Sequence, residues 1–596
     1  MRRRVWGTAV VLGLLAATVP VGSAAAASVA SARTATAAAR PLPLERHFDN
    51  RAVSDDTLPG RADFDGSGGS LSAQDLAAAG WTPGRSLTVQ GARLTWPDRA
   101  AGRPDNVRAD GQSVRVRGRG DALAFLVAGT AGEAAASGTG TVRYADGTRS
   151  SYRLTAPDWR TGPLATKAVA LPHVNTPGGQ VTERARLYVV TVPVVRGREI
   201  ASVALPRNRS LHVFDLAVRP LAGGWTGTWA ASTSGYTSVG PWTGRTLRLV
   251  VHTSAGGPRV RIRLDNTFAA APVRIGSATV AVRAGGATPR SAPVPLSFRG
   301  AGGTAIPAGA QVYSDPVAFD VPPGSDLLVS FHLPGTVTAA PVHRLAQQTS
   351  YVSGPGDHAR DRSAASYTST ITTWPFLTGV DVGGGPGSVV VLGDSITDGE
   401  KSTPNANRRW PDLLAARLRG ADTVPRYGVL NQGISANRVV GDRYPGDGVS
   451  TDTGGVSALH RLDRDVLAQT SARTVVVFQG VNDVRWGATS EQVIAGLRKI
   501  AGRAHARGLR VLAATIAPCE GETRCTAAAD AERVEVNAWL RQAGVFDGVL
   551  DFDAVLRDPG HPARILPAYD SGDHLHPGDA GLAALAESVD LRLLRG

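Results

Sequence analysis

Lysine is almost missing from this 596-residue chain. It stands only at Lys167, Lys401 and Lys499, so nearly all of the formal net charge of +14 comes from arginine. The arginines are scattered, with no dense basic block and no interleaved aromatics, which argues against a nucleic-acid partner. A basic surface of this kind still suits acidic polysaccharide or anionic lipid. Cysteine occurs only at Cys519 and Cys525, and two thiols six apart are too few for a zinc site. Beyond the amino-terminal segment no run reaches 18 uninterrupted apolar residues, so no transmembrane helix is expected. Aromatics make up 6% of the chain while glycine (70) and proline (38) are abundant, which favours turns and strands.

What is present suits folded domains: 42% hydrophobic and 19% charged residues. A chain this long exceeds a single core, so two to four domains are expected. Its start reads as an export signal. Arg2-Arg3-Arg4 precedes a mostly apolar Val5–Val21, and Gly22-Ser23-Ala24 opens a small-residue cleavage region. Residues 1–27 are assigned as signal peptide and 28–43 as linker, with a retained membrane anchor as the alternative. The arginine pair is a poor twin-arginine motif. In an exported protein Cys519 and Cys525 are expected to pair across a short loop.

Residues 44–220 read as all-β. Short alternating runs such as Ser113–Arg117, Thr141–Tyr144 and Arg186–Val192 recur between turn signals, and Asp146-Gly147 marks a hairpin. This spacing suits a β-sandwich. Trp81, Trp96 and Trp159 are either core residues or platforms for sugar rings. Residues 225–380 form a second β-rich unit, with Gly256-Gly257 read as the turn of a further hairpin. From residue 387 the pattern changes. Candidate strands at 388–392, 428–432, 474–479, 510–516 and 548–552 alternate with candidate helices near 410–419, 456–468, 490–507, 528–543 and 578–594. Such βαβ alternation predicts a doubly wound parallel sheet flanked by helices.

Four small clusters fall at the ends of these segments. They are Gly393-Asp394-Ser395, Asn431-Gln432-Gly433-Ile434-Ser435, Gly480-Val481-Asn482-Asp483 and Asp573-His574-Leu575-His576-Pro577. Ligand sites in open α/β sheets lie outside the carboxyl ends of the strands. A serine there becomes a nucleophile only if an imidazole takes its proton. His576 meets that need, with Asp573 three residues earlier to hold the ring. Asp394, next to the serine, reads as a turn-fixing residue.

In this order the four clusters resemble the SGNH (GDSL-type) hydrolase superfamily. The resemblance implies an α/β/α catalytic domain over residues 387–596 and ester hydrolysis without cofactor or metal. By position it implies Ser395 as nucleophile, Asp573 and His576 as its partners, and Ser395, Gly433 and Asn482 as oxyanion donors. Asn437 and Arg438 are candidates for substrate contact, with a solvated loop as the alternative. His574 is a rival base or a pocket-rim residue. Trp225–Ser232, Asn431–Asn437 and Tyr569–Pro577 are similar to a secreted actinobacterial subgroup that includes acetyl xylan and related carbohydrate esterases. The wording around Phe48-Asp49-Asn50, Phe64-Asp65-Gly66 and Pro104-Asp105-Asn106 resembles accessory modules of secreted carbohydrate-active enzymes. The expectation is a secreted serine esterase that deacetylates polysaccharide. A lipase or phospholipase on longer chains is the first alternative, and a non-catalytic carbohydrate-binding protein the second.

Overall fold

The computed structural model describes residues 41–132 and 134–596. The expected signal segment 1–27 and most of the linker 28–43 lie outside the described residues. Among the described residues no helix is long and apolar enough to cross a membrane.

In the first β-region the 17-residue strand Ser113–Gly129 is central. It pairs antiparallel with Ala185–Pro193, Glu199–Ala204 and Arg207–Pro220. Its alternate residues Leu123, Phe125 and Val127 enter one core, while Ala124, Leu126 and Ala128 enter another, so both faces are covered. Asp146-Gly147 does turn a hairpin between Ala136–Tyr144 and Arg149–Ala156. The three tryptophans are buried, and Trp81 Nε1–H donates to the Ala308 carbonyl at 2.9 Å. They are core residues, and their use as sugar platforms is set aside.

The second β-region, from Trp225 to Gly383, is a sandwich of two antiparallel sheets. Two features differ from the sequence reading. Gly256-Gly257 does not close a hairpin. Gly235–His252 pairs with Asp326–His343 in one sheet, whereas Gly257–Asp265 pairs with Leu377–Gly383 in the other. The turn therefore carries the chain across the core. The second feature is the hairpin Ser86–Val89/Ala92–Thr95, which belongs by sequence to the first region but continues the second region's sheet, with Thr88 opposite Gln311. A single buried cluster accordingly runs from Phe64, Trp81 and Phe214 to Leu247, Ile262 and Phe331, across the expected boundary at residue 220.

The last region is a five-stranded, all-parallel sheet. Its strands are β1 (Ser388–Gly393), β2 (Gly428–Gly433), β3 (Ala472–Phe478), β4 (Arg510–Ala514) and β5 (Gly548–Leu550), in the spatial order β2-β1-β3-β4-β5. Strand β1 is apolar on both faces because both are covered. Val389 and Val391 pack with Trp410, Leu414 and Leu582 on one side, and Val390 and Leu392 with Leu462, Val493 and Leu497 on the other. The α-helices are α1 (Ser395–Asp398), α2 (Trp410–Gly420), α3 (Ala458–Leu462), α4 (Val481–Arg485), α5 (Ser490–His505), α6 (Ala527–Gln542), α7 (Phe552–Leu556) and α8 (Asp579–Ser588). Thr489 starts α5 with a capping box closed by Gln492.

The second β-region is fastened to this sheet by residues of the Trp225–Ser232 stretch. Gly227 N–H donates to Ser388 Oγ at 3.0 Å, and Ser232 Oγ bonds the Gln432 side chain. A Cβ at Gly428 would sit 2.0 Å from the Gly227 carbonyl oxygen, so glycine at the start of β2 lets the two strands lie this close.

Candidate active site

The end of β1 sets the geometry. Gly393 closes the strand, Asp394 caps α1 by accepting the Ile396 N–H at 3.1 Å, and Ser395 is the first residue of α1. Asp394 is fully enclosed. Desolvation pushes its carboxyl up to about 7 against the Ile396 hydrogen bond, and the nearby Asp483 charge adds to the rise.

Ser395, Asp573 and His576 are brought together in one line. Ser395 Oγ lies 2.8 Å from His576 Nε2, and His576 Nδ1 lies 2.8 Å from Asp573 Oδ2. Since Nδ1–H donates to the carboxylate, the Nε2 lone pair faces the serine hydroxyl, which donates to it. Asp573 Oδ1 also accepts the backbone N–H of Leu575 and His576, at 3.0 and 2.8 Å. Partial burial pushes the Asp573 carboxyl up. The backbone N–H and imidazole of His576 outweigh that and hold it at about 2, so it stays ionised wherever the imidazole is neutral. Two charged neighbours were not anticipated from sequence. Glu400 Oε2 is 3.7 Å from His576 Nε2 and accepts the Ser435 hydroxyl at 2.7 Å, while Lys401 Nζ is 3.7 Å from Asp573.

His574 is turned elsewhere. Its Nδ1 bonds Asp570 Oδ2 at 2.6 Å, and its ring packs over Gly521 in the disulfide loop. The base facing Ser395 is His576, not His574.

Of the three expected oxyanion donors, Gly433 has its N–H already engaged: it donates to Asn431 Oδ1 at 2.9 Å. The glycine is there for another reason: a Cβ would lie 2.3 Å from the Asp398 nitrogen, so its absence lets β2 press against α1. Three residues on, Ala436 adopts a left-handed φ of 63°, unusual for a residue with a side chain. Its N–H donates to no acceptor among the described residues and borders the open cleft. The Ser395 N–H is likewise unengaged at the start of α1. Asn482 is buried with its amide fixed: Nδ2 donates to the Asn437 carbonyl at 3.1 Å and Oδ1 accepts from Arg485 at 3.0 Å, leaving one amide hydrogen. Arg485 in turn pairs with Glu522, inside the loop closed by the Cys519–Cys525 disulfide.

Asn437 is not a substrate contact. It is wholly buried, donates to the carbonyls of Gly454 and Val456, and accepts from Arg461 and Gln479. Arg438 stacks on Trp486 at 4.7 Å, beside Arg443, Arg485 and Arg524 on the same indole.

The cleft next to Glu400 has a volume of about 430 Å³ and is walled partly by the second β-region, through Ser234, Arg344 and Leu345. That region also reaches beneath the site. Buried His343 places Nδ1 2.9 Å from the Ser232 carbonyl, and Nε2 2.9 Å from Asp398 Oδ1 and 3.1 Å from the Leu345 carbonyl. Asp398 Oδ2 accepts the Ser435 N–H at 2.9 Å, so His343 supports the loop that carries Ala436. Carbonyls accept only, so both ring nitrogens need protons. Burial alone would push the His343 pKa down. The Asp398 charge and the carbonyl acceptors outweigh it and raise the value. A raised histidine pKa means the support is intact below about pH 6.5 and is lost as pH climbs through the folded value. The expected result is an alkaline fall in kcat/KM for the native protein. His343→Gln should lack this alkaline inflection, and an unchanged alkaline limb in that variant would remove His343 from the account.

A strand-end serine joined to an imidazole and carboxylate, on a parallel α/β/α sheet, defines the class of serine acyl hydrolases. Residues 391–584 match the GDSL-like Lipase/Acylhydrolase family, and residues 37–220 match the AziU2-like beta-sandwich domain. The chain thus carries a GDSL-like hydrolase domain at its carboxyl end and a β-sandwich domain before it. Among solved structures it is similar to a member of the lipolytic protein G-D-S-L family from Veillonella parvula, at 19% identity over 34% of this chain and 94% of that one, TM-score 0.26. A GDSL-like lipase from Bacteroides thetaiotaomicron aligns at 18% identity over 35% and 87%, TM-score 0.26. An acetylxylan esterase from Geobacillus stearothermophilus aligns at 20% identity over 35% and 93%, TM-score 0.26. No curated protein matches the chain.

Proposed function

We propose that this chain is an exported esterase that removes small acyl groups, acetyl first among them, from polysaccharide. In this reading Ser395 Oγ attacks the ester carbonyl as its proton passes to His576 Nε2. The negative charge on the carbonyl oxygen is met by the N–H groups of Ser395 and Ala436 and the free amide hydrogen of Asn482. Collapse expels the sugar alkoxide, which takes the proton back from His576. Water then attacks the acyl-serine, with His576 again as base, and releases the acid. Asp573 stabilises the imidazolium without taking its proton.

The observation that carries the acyl preference is the lining of the cleft. Apart from Leu345 and Ala436, its side chains are polar or charged, among them Arg344, Asp398, Glu400, Arg443 and Asp452. Each methylene of a long acyl chain gains about 0.8 kcal/mol only where it meets apolar surface. This cleft offers little of that, while hydroxyl-rich sugar finds partners throughout. Export is supported by the charged and then apolar amino-terminal sequence and by the disulfide.

Turnover of p-nitrophenyl esters from acetyl to palmitoyl tests the reading. The expected kcat/KM is highest for acetyl and about tenfold lower by octanoyl, because a longer chain must be ordered without apolar surface to repay it. A rise with chain length would favour the lipase alternative. Acetate release from acetylated polysaccharide, with unacetylated polymer as control, tests the alcohol side.

A further inference from the structure

A second cavity lies where the three regions meet, with a volume of about 590 Å³. It is remote from the ester site. Its hydrolase wall includes Ala472, the first residue of β3, and Leu509, just before β4. Ser395 follows the opposite, carboxyl end of the parallel strands.

Six arginines line this cavity: Arg196 and Arg219 from the first β-region, Arg93 from the hairpin that joins the second region's sheet, Arg261 from the second region, and Arg473 and Arg507 from the hydrolase. Three are matched. Arg219 grips Asp121 with two bonds of 2.9 Å, Arg261 bonds Asp381 at 2.8 Å, and Arg507 lies 3.7 Å from Asp463. Among the described residues Arg93, Arg196 and Arg473 have no carboxylate partner, and Asp121 is the only carboxylate lining the cavity. One donor is stranded in addition. Arg219 is 3% exposed, and its Nη1 is buried without a hydrogen-bond partner. Buried donors are satisfied in nearly all folded proteins, so an orphan guanidinium nitrogen beside three unmatched charges calls for an acceptor. The charges also strain one another. Desolvation lowers the Arg196 pKa, and Arg473 and Arg219 lower it further, while Asp121 opposes.

We propose that this junction cavity binds a compact tetrahedral oxyanion, phosphate or sulfate, either free or carried as an ester on a sugar. Guanidinium groups match such oxyanions with paired N–H donors, and the volume is that of an ordinary small-ligand site. Because its walls come from all three regions, the bound anion would hold the β-regions against the hydrolase.

The test is thermal unfolding and calorimetric titration of the full chain with sodium sulfate and sodium phosphate, against sodium chloride at equal ionic strength. A double variant, Arg196→Gln with Arg473→Gln, controls for the general stabilising effect of these salts. The native protein should gain about 2–4 °C more than the double variant at saturating anion, with at least about tenfold tighter binding. Without anion the variant should unfold no lower than the native protein, because two mutually repelling charges are gone, and its turnover of acetyl ester should be unchanged. Glucose 6-sulfate identifies the source: tighter binding than inorganic sulfate assigns a sugar ester, equal or weaker binding a free ion. Equal shifts in native and variant protein, or a variant that unfolds markedly lower without anion, would overturn the proposal.

Discussion

Ser395→Ala should lower kcat on an activated acetyl ester by about 10⁵-fold or more, with the melting temperature nearly unchanged. The size follows from what the hydroxyl does. In the proposed mechanism it is the atom that bonds to the acyl carbon, and among the described residues no other hydroxyl bonds the His576 imidazole. Residual turnover would come from the oxyanion donors acting on a water molecule. The fold should survive because the removed oxygen contributes one hydrogen bond, to His576, and Asp394 still caps α1. The split between lost kcat and kept stability separates a nucleophile from a structural serine.

The largest effect on stability is expected at Arg461, which is wholly buried although formally charged. Its guanidinium donates to Gly393 O at 2.9 Å, Gln432 O at 2.7 Å, Asn437 Oδ1 at 3.1 Å, Ser232 Oγ at 3.0 Å and Asp465 at 3.2 Å. These acceptors are the ends of β1 and β2, the loop under Asn482, and the second β-region. Burial lowers the Arg461 pKa to about 10 against the pull of Asp465, so the side chain stays charged at neutral pH. Arg461→Leu strands several buried acceptors at once. Breaking such a buried charged network costs about 3–5 kcal/mol. For a region of this size the melting transition should fall by on the order of 10 °C. Arg461→Lys should recover only part of that, because an ammonium cannot reach all five acceptors. A leucine variant that melts with the native protein would show that the network adds nothing.

The catalytic region was highly legible in the sequence, for a physical reason. Parallel strands covered on both faces read as apolar runs, so Val389–Leu392 and Thr474–Phe478 stood out, and their carboxyl ends located Ser395 and Asn482. Capped, periodic helices such as α5 were equally plain. Misreadings occurred where tertiary packing overrides local pattern. Gly256-Gly257 has the wording of a hairpin, but the buried faces of the two strands belong to different sheets. Gly433 was expected as an oxyanion donor from its position in the second cluster, at the last residue of β2. The left-handed turn is made at Ala436, where an alanine gives no hint of positive φ. Asn437 reads as a loop residue, and only the converging carbonyls and Arg461 show it as an interior junction. His343 and Ser232 lie 55 and 166 residues before Asp398, and no spacing rule links them to the oxyanion loop. The β-regions were placed by alternation and turn residues, yet the hairpin at 86–95 joins its neighbour's sheet, which alternation alone does not specify.

The central claim is that Ser395 forms a covalent acyl intermediate. A fluorophosphonate ester, followed by intact-mass and peptide mass spectrometry, tests it most directly. The account predicts one adduct per chain, mapped to Ser395, with acetyl-ester turnover lost in proportion to labelling and no adduct on Ser395→Ala. An adduct on another residue, or full labelling with turnover intact, would contradict it.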